Sequence, residues 1–127
     1  MLYAVPAKLI PDRAPEFHTR LTDGSIASQR PDGAEIVAAM KRARAAPDGI
    51  VRWTETCYCP TPLQHERATV LDHYFTEIET KVIDKPDTFD GVPLMERLEL
   101  LVGQIRDVLG VAARIEAIGD VGIERFL

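Results

Sequence analysis

The segment 52–79, RWTETCYCPTPLQHERATVLDHYFTEIE, decides which fold this 127-residue sequence predicts. It contains the only tryptophan, both cysteines and two of the three histidines. The stretch Ile50–Cys59, which overlaps its start, is rich in β-branched and aromatic residues and is followed by Pro60, a pattern typical of a strand. The stretch Arg67–Ile83 is ambiguous, because its apolar residues fit both a helical stripe and a strand.

The flanking sequence supplies the remaining elements. Apolar periodicity predicts two helices, and the first has Asp32 placed as an N-terminal capping residue. A proline within the first predicted strand, Pro6, indicates an edge position or a bulge. The predicted strands are Leu2–Ile10, Ile50–Cys59 and Val111–Ile118, and the predicted helices are Arg30–Ala46 and Pro93–Leu109.

The interpretation of Arg67–Ile83 sets the topology. Its length favours a helix, because strands are usually about 5–6 residues long. A strand there completes the order βαββαβ, the ferredoxin-like arrangement, with both helices on one face of an antiparallel sheet. We expect this α+β fold, with a long central hairpin whose second strand extends beyond the sheet and joins two copies into a homodimer.

Composition excludes several classes of function. Hydrophobic residues make up 46% and charged residues 28% of the chain, as is ordinary for a single globular domain. A net charge of −5 argues against nucleic acid and anionic membranes as partners. No apolar run approaches the ~20 residues of a membrane span, and the N-terminus lacks the pattern of a signal peptide. We therefore expect a cytoplasmic protein with reduced cysteines.

The predicted hairpin brings together one candidate catalytic pair. With Cys59 opposite Arg67, Trp53 faces His73, and alternation leaves Glu55 and His73 as polar residues on the apolar face. A carboxylate beside an imidazole can orient it for proton transfer. The structural alternative is a satisfied Glu–His hydrogen bond at the edge of a core.

Three further residues are candidate ligand contacts. Trp53 and Tyr74 offer aromatic surface near this pair. Arg67, at the exit of the loop 60–66, suits a planar anion such as a carboxylate or phosphate. The structural alternative for this loop is a solvated hairpin tip.

The cysteines permit two kinds of site besides simple burial. Distance along the chain argues against a four-ligand zinc site with both histidines. It leaves a three-ligand alternative of Cys57, Cys59 and His65, with Glu66 or water as the fourth ligand. On a straight strand, the C-x-C spacing holds the thiols at or beyond the limit for a disulfide. A redox pair therefore requires a bend at Tyr58 or Pro60.

These residues predict a small-molecule-binding domain that performs acid–base chemistry with Glu55 and His73 and uses no cofactor. The alternative function is a non-catalytic interaction or assembly module that uses Arg67–Ile83 as its interface. A cavity beside Trp53, Glu55 and His73 favours the first function. Tight packing or solvent exposure of the same side chains favours the second.

Overall fold

The computed structural model describes residues 1–107, which form an α+β fold with a six-stranded antiparallel sheet and four helices. The α+β class predicted from the sequence is confirmed. The strands are β1 (Leu2–Leu9), β2 (Arg44–Ala45), β3 (Ile50–Thr56), β4 (Phe75–Thr76), β5 (Lys81–Ile83) and β6 (Val92–Pro93). The helices are α1 (Ala14–Thr22), α2 (Gly33–Arg42), α3 (64–74) and α4 (94–107).

Two long strands form the centre of the sheet. Strands β1 and β3 pair in antiparallel register, with Val5 opposite Trp53 and Tyr3 opposite Glu55. Alternate residues of both strands are buried and share one hydrophobic core with residues of the helices, so the helices cover this face. The inward residues of the two strands are Tyr3, Val5, Ala7, Leu9, Val51, Trp53 and Glu55.

Aromatic rings join α1 to the sheet. The ring of Phe17 stacks on Tyr74 with a centroid distance of 4.3 Å and meets Phe75 edge-on at 5.6 Å. Phe75 in turn lies 5.3 Å from Trp53. Burying each such side chain contributes about 1.5–3 kcal/mol, so this cluster fixes α1 and the end of α3 against β3.

The predicted strand over Arg67–Ile83 is wrong for most of its length. Residues 64–74 are helical, with a π-helical turn at Arg67–Leu71, and only β4 and β5 are extended. Both short strands pair with β1, so the predicted hairpin register does not form. Because residues 67–83 do not form a long projecting strand, the homodimer interface expected from such a strand has no support in the described residues.

The observed strand order is β4–β1–β3–β2–β6, with β5 pairing β1 beside β4. The ferredoxin-like order is therefore not confirmed in the form that we predicted. The first predicted helix is shorter than expected, and the second begins after Pro93. The predicted strand Val111–Ile118 and the end of the preceding helix lie outside the described residues.

The position of Pro6 differs from the expected sheet edge. Strand β1 is central, and the carbonyl of Pro6 accepts a hydrogen bond from the backbone N–H of Glu79, in the gap between β4 and β5. The side of Pro6 that lacks an N–H faces this gap, where no ladder partner is lost. The interrupted partner strand explains why a central strand tolerates this proline.

Gly91 offers a test of how the segment before β6 is anchored. Its φ is +119°, and an added Cβ would lie 2.4 Å from the carbonyl oxygen of Ala45 in β2. We expect Gly91→Ala to lower the free energy of unfolding by more than 2 kcal/mol, about the upper cost of positive φ alone, in urea denaturation.

Gly49→Ala is the matched control. Gly49 has a φ of +87° but open space around the added Cβ, so only conformational strain applies. Equal losses of stability in the two variants would contradict a steric role for the contact between Gly91 and Ala45.

Candidate functional site

Two buried carboxyl groups meet where β3 faces the first turn of α3. Glu55 is 1% exposed and Glu66 is 3% exposed. The indole N–H of Trp53 donates to Glu55 Oε1 at 2.9 Å. The Oε2 atoms of both glutamates are buried, and within residues 1–107 no N–H group and no Ser, Thr or Tyr hydroxyl donates to them. An unpaired buried charge is costly, so this pair favours retention of a proton.

Glu66 holds that proton at neutral pH. Burial raises its pKa, and the hydrogen bond with Glu55 and the negative charge of Glu55 raise it further, to about 10. Burial also raises the pKa of Glu55, against the hydrogen bonds from Glu66 and Trp53. The pair is therefore a neutral carboxylic acid on Glu66 that donates to a carboxylate on Glu55.

An imidazole–carboxylate pair lies nearby. His65 Nδ1 is 2.8 Å from Asp32 Oδ2 and 3.0 Å from Asp32 Oδ1. A carboxylate accepts only, so Nδ1 carries hydrogen and donates, which leaves Nε2 with the lone pair in the neutral ring. The predicted capping role of Asp32 is wrong, because its side chain makes no cap hydrogen bond and binds His65 instead.

The cysteines follow directly after β3. Cys57 Sγ accepts hydrogen bonds from the backbone N–H groups of Cys59 and Leu63, each at 3.4 Å. Burial raises the pKa of the Cys57 thiol, but these two bonds and a further one from the Cys59 thiol outweigh burial and lower it. The same thiol–thiol bond raises the pKa of Cys59. The favoured thiolate is therefore Cys57.

One open cavity of about 450 Å³ joins these groups. Its acidic side includes Asp32 and Glu35, and Glu35 is paired with Arg42 at 2.8 Å. Tyr58, which is 88% exposed, stands at its rim. The cavity is lined by Pro31, Asp32, Glu35, Thr56, Cys57, Tyr58, Cys59, His65 and Glu66.

The predicted pair of Glu55 and His73 does not form. Glu55 is buried and bonded to Trp53, whereas His73 is exposed on α3, and no hydrogen bond or ion pair joins the two. The reason is the helical state of α3, which removes His73 from the sheet. Trp53 and Glu55 are core residues and His73 faces solvent, so these three side chains do not come together as a ligand site.

The other predicted ligand contacts lie elsewhere. Trp53 and Tyr74 are core residues, 1% exposed each, and the Tyr74 hydroxyl accepts from Arg20 at 2.9 Å. Arg67 is bound to Asp72 at 3.0 Å on the surface of α3. None of the three lines the cavity at the end of β3.

The metal alternative gains no support. Within 1–107, no three side chains of His, Cys, Asp or Glu are arranged to hold a metal ion. Cys57, Cys59 and His65 do line the same cavity, but they are not arranged as such a group. The side chains that come together suit proton transfer and thiol chemistry better than coordination.

The sequence pattern did not indicate an acid–base role for Glu66 or for Asp32. Glu66 lies three residues after Leu63 and four before Val70, all buried on one helical face. A carboxyl within an apolar stripe is an informative signal, but only once α3 is taken as a helix. Asp32 gave no such signal, because its position before a helix is equally typical of a cap.

Comparison with protein-family models, with curated proteins and with solved structures finds no match to this chain. Among the described residues, no helix has the length and hydropathy needed to cross a membrane. Function must therefore be argued from the site itself.

The proton on Glu66 makes stability depend on pH. Its pKa is about 10 in the folded protein and near 4.5 in the unfolded chain. Between these pH values the folded state binds one more proton than the unfolded state, so the folded state loses stability as pH rises. Glu66→Gln cannot ionise and still offers a donor to Glu55. We therefore expect the free energy of unfolding of the wild type to fall by about 2–4 kcal/mol more than that of this variant when the pH is raised from 5.5 to 8.5.

Urea denaturation at both pH values measures this difference. Glu96→Gln is the control, because Glu96 is exposed on α4 and its loss should leave the pH dependence of the wild type unchanged. Parallel pH profiles for Glu66→Gln and the wild type would show that Glu66 does not carry the proton.

Proposed function

We propose that this chain binds a small molecule in the cavity at the end of β3 and performs acid–base chemistry on it with its own side chains. The observation that carries the proposal is the buried carboxyl of Glu66 beside Glu55, which lines the same cavity as the His65–Asp32 pair. A carboxylic acid and an oriented imidazole in one cavity is an arrangement that suits proton-transfer catalysis.

The two groups take different roles. Glu66 is the general acid, because burial beside Glu55 keeps its carboxyl neutral at pH 7. Its single O–H donates to Glu55 in the free protein and turns from Glu55 to a ligand oxygen when the ligand binds. His65 is the general base through Nε2, and Asp32 is a positioning residue that fixes the ring through Nδ1. Together they suit proton abstraction next to a carbonyl group, with Glu66 polarising the carbonyl oxygen.

The charges around the cavity select the ligand class. Asp32 and Glu35 line it, Glu55 lies behind Glu66, and Arg42 is already occupied by Glu35. An anionic ligand would meet this negative field without a free cation among the lining residues. A neutral or cationic carbonyl compound is favoured, in place of the anion that we expected Arg67 to bind.

Three ring compounds of similar size and different charge test this selection. ¹⁵N-labelled protein is titrated with cyclohexanone, cyclohexylammonium and cyclohexanecarboxylate, and the backbone amide shifts are followed by NMR. We expect shifts in residues 57–66 with cyclohexanone and with the ammonium compound, and none with the carboxylate. A response to the carboxylate alone would contradict the proposed ligand class.

Exchange of the α-hydrogens of cyclohexanone for deuterium in D₂O tests the chemistry. We expect the wild type to accelerate exchange over buffer, and His65→Gln and Glu66→Gln to lose at least about tenfold of that acceleration. His73→Gln is the matched control, since His73 is exposed on the same helix away from the cavity lining. Equal rates for His65→Gln and His73→Gln would overturn the role of His65.

We also propose a ferredoxin-like origin for the sheet. From β1 to β4 the chain runs strand, two helices, two strands, helix and strand, with β1 and β3 antiparallel at the centre. This order supports the relation. It differs from our sequence prediction in the location of the strands and in the additional β5 and β6.

A further inference from the structure

The C-x-C segment bends where the sequence required a bend for a redox pair. Strand β3 ends at Thr56, and the chain turns at Cys59–Pro60. The backbone N–H of Cys59 lies 3.4 Å from Cys57 Sγ, so the chain folds back on the first cysteine. Residues 57–60 are therefore not assigned to a strand, so the straight-strand spacing that holds alternate thiols too far apart for a disulfide does not apply to them.

The sulfur of Cys57 occupies a built environment for an anion. Two backbone N–H groups, from Cys59 and from Leu63, converge on it from the loop that precedes α3. Leu63 has a φ of +58°, a conformation that costs a non-glycine residue energy and is held here with the side chain fully buried. The loop thus keeps both donors aimed at one sulfur.

The second thiol and the approach route complete the arrangement. Cys59 is the more exposed of the two cysteines, and its thiol is close enough to contribute to the lowered pKa of the Cys57 thiol. Both line the open cavity, whose rim carries the exposed ring of Tyr58. A small molecule in the cavity can therefore reach both sulfurs, and an aromatic surface is available beside them.

We propose that Cys57 and Cys59 are a dithiol–disulfide exchange pair, with Cys57 as the attacking residue, Cys59 as the resolving residue and a low-molecular-weight disulfide as the oxidant. This activity goes beyond the acid–base function, and it does not depend on Glu66 or His65.

The exchange proceeds in two balanced steps. The Cys57 thiolate attacks one sulfur of the disulfide RSSR, which forms a Cys57–S–S–R bond and releases RS⁻. The Cys59 thiol passes its proton to the released thiolate and attacks Cys57 Sγ, which forms the Cys57–Cys59 bond and releases a second RS⁻. The two protein thiols lose two electrons, and RSSR gains them to become two thiols once protonated.

Oxidised glutathione is the probe, added to the fully reduced full-length protein and quenched with iodoacetamide for intact-mass and peptide mass spectrometry. We expect the wild type to lose two hydrogens and resist alkylation at both cysteines. Cys59→Ser should accumulate glutathione on Cys57, because the resolving thiol is missing. Cys57→Ala should form mixed disulfide at Cys59 at least about tenfold more slowly than Cys59→Ser forms it at Cys57.

Two results would overturn the proposal. One is a wild type that keeps glutathione on a single cysteine without closing the internal disulfide. The other is a Cys59 that reacts as fast in Cys57→Ala as Cys57 does in Cys59→Ser.

Two additions keep the experiment decisive. Circular dichroism shows whether Cys57→Ala folds. If it does not, wild-type protein is quenched at short times and the cysteine modified first is identified. Modification of Cys59 before Cys57 would contradict the proposal. Glu66→Gln and His65→Gln should oxidise like the wild type, so the failure of the acid–base function and the failure of thiol exchange give different patterns.

Discussion

A carboxyl group on the core face of β3 is the constraint on which the rest of the described structure depends. Strand alternation places Glu55 on the same face as Val51 and Trp53, so its side chain must enter the interior. There it requires hydrogen-bond donors, and the Trp53 indole supplies one. The second donor is a proton held by Glu66, which ties the first turn of α3 to the end of β3.

This tie explains why so much chemistry collects in a short stretch of chain. The loop 57–63 turns between β3 and α3, and the backbone N–H groups of Cys59 and Leu63 point at Cys57. The same turn of α3 carries His65 toward Asp32 before α2. A buried carboxyl, an oriented imidazole and a hydrogen-bonded thiol thus line one cavity. Burial raises the pKa of Glu66, whereas hydrogen bonds to the Cys57 sulfur outweigh burial and lower the pKa of that thiol.

The sequence predicted what local pattern determines. The inward set Val51, Trp53 and Glu55 followed from strand alternation, and the cores of α2 and α4 followed from helical periodicity. The state of α3 could not be decided locally, because Val70, Tyr74 and Phe75 suit both a strand and a helix. The βαββαβ order favours a strand over Arg67–Ile83, but most of that stretch is not extended.

The segment 52–79 holds Glu55, both cysteines, His65 and Glu66, but the predicted pair of Glu55 and His73 does not form. Asp32 comes from outside the segment and lies 33 residues before His65. Such contacts depend on how α2 and α3 pack together, and no spacing within the segment encodes that packing.

The π-helical turn at Arg67–Leu71 has a consequence for how this site can change over evolutionary time. A π-turn spans one more residue than an α-turn, and it separates Glu66, which faces the cavity, from Tyr74, which stacks in the core. That extra residue is the size of a single-codon insertion. It rotates the end of α3 that carries Glu66 relative to the end that carries Tyr74. Substitutions near Glu66 can therefore change the cavity while Tyr74 stays packed in the core.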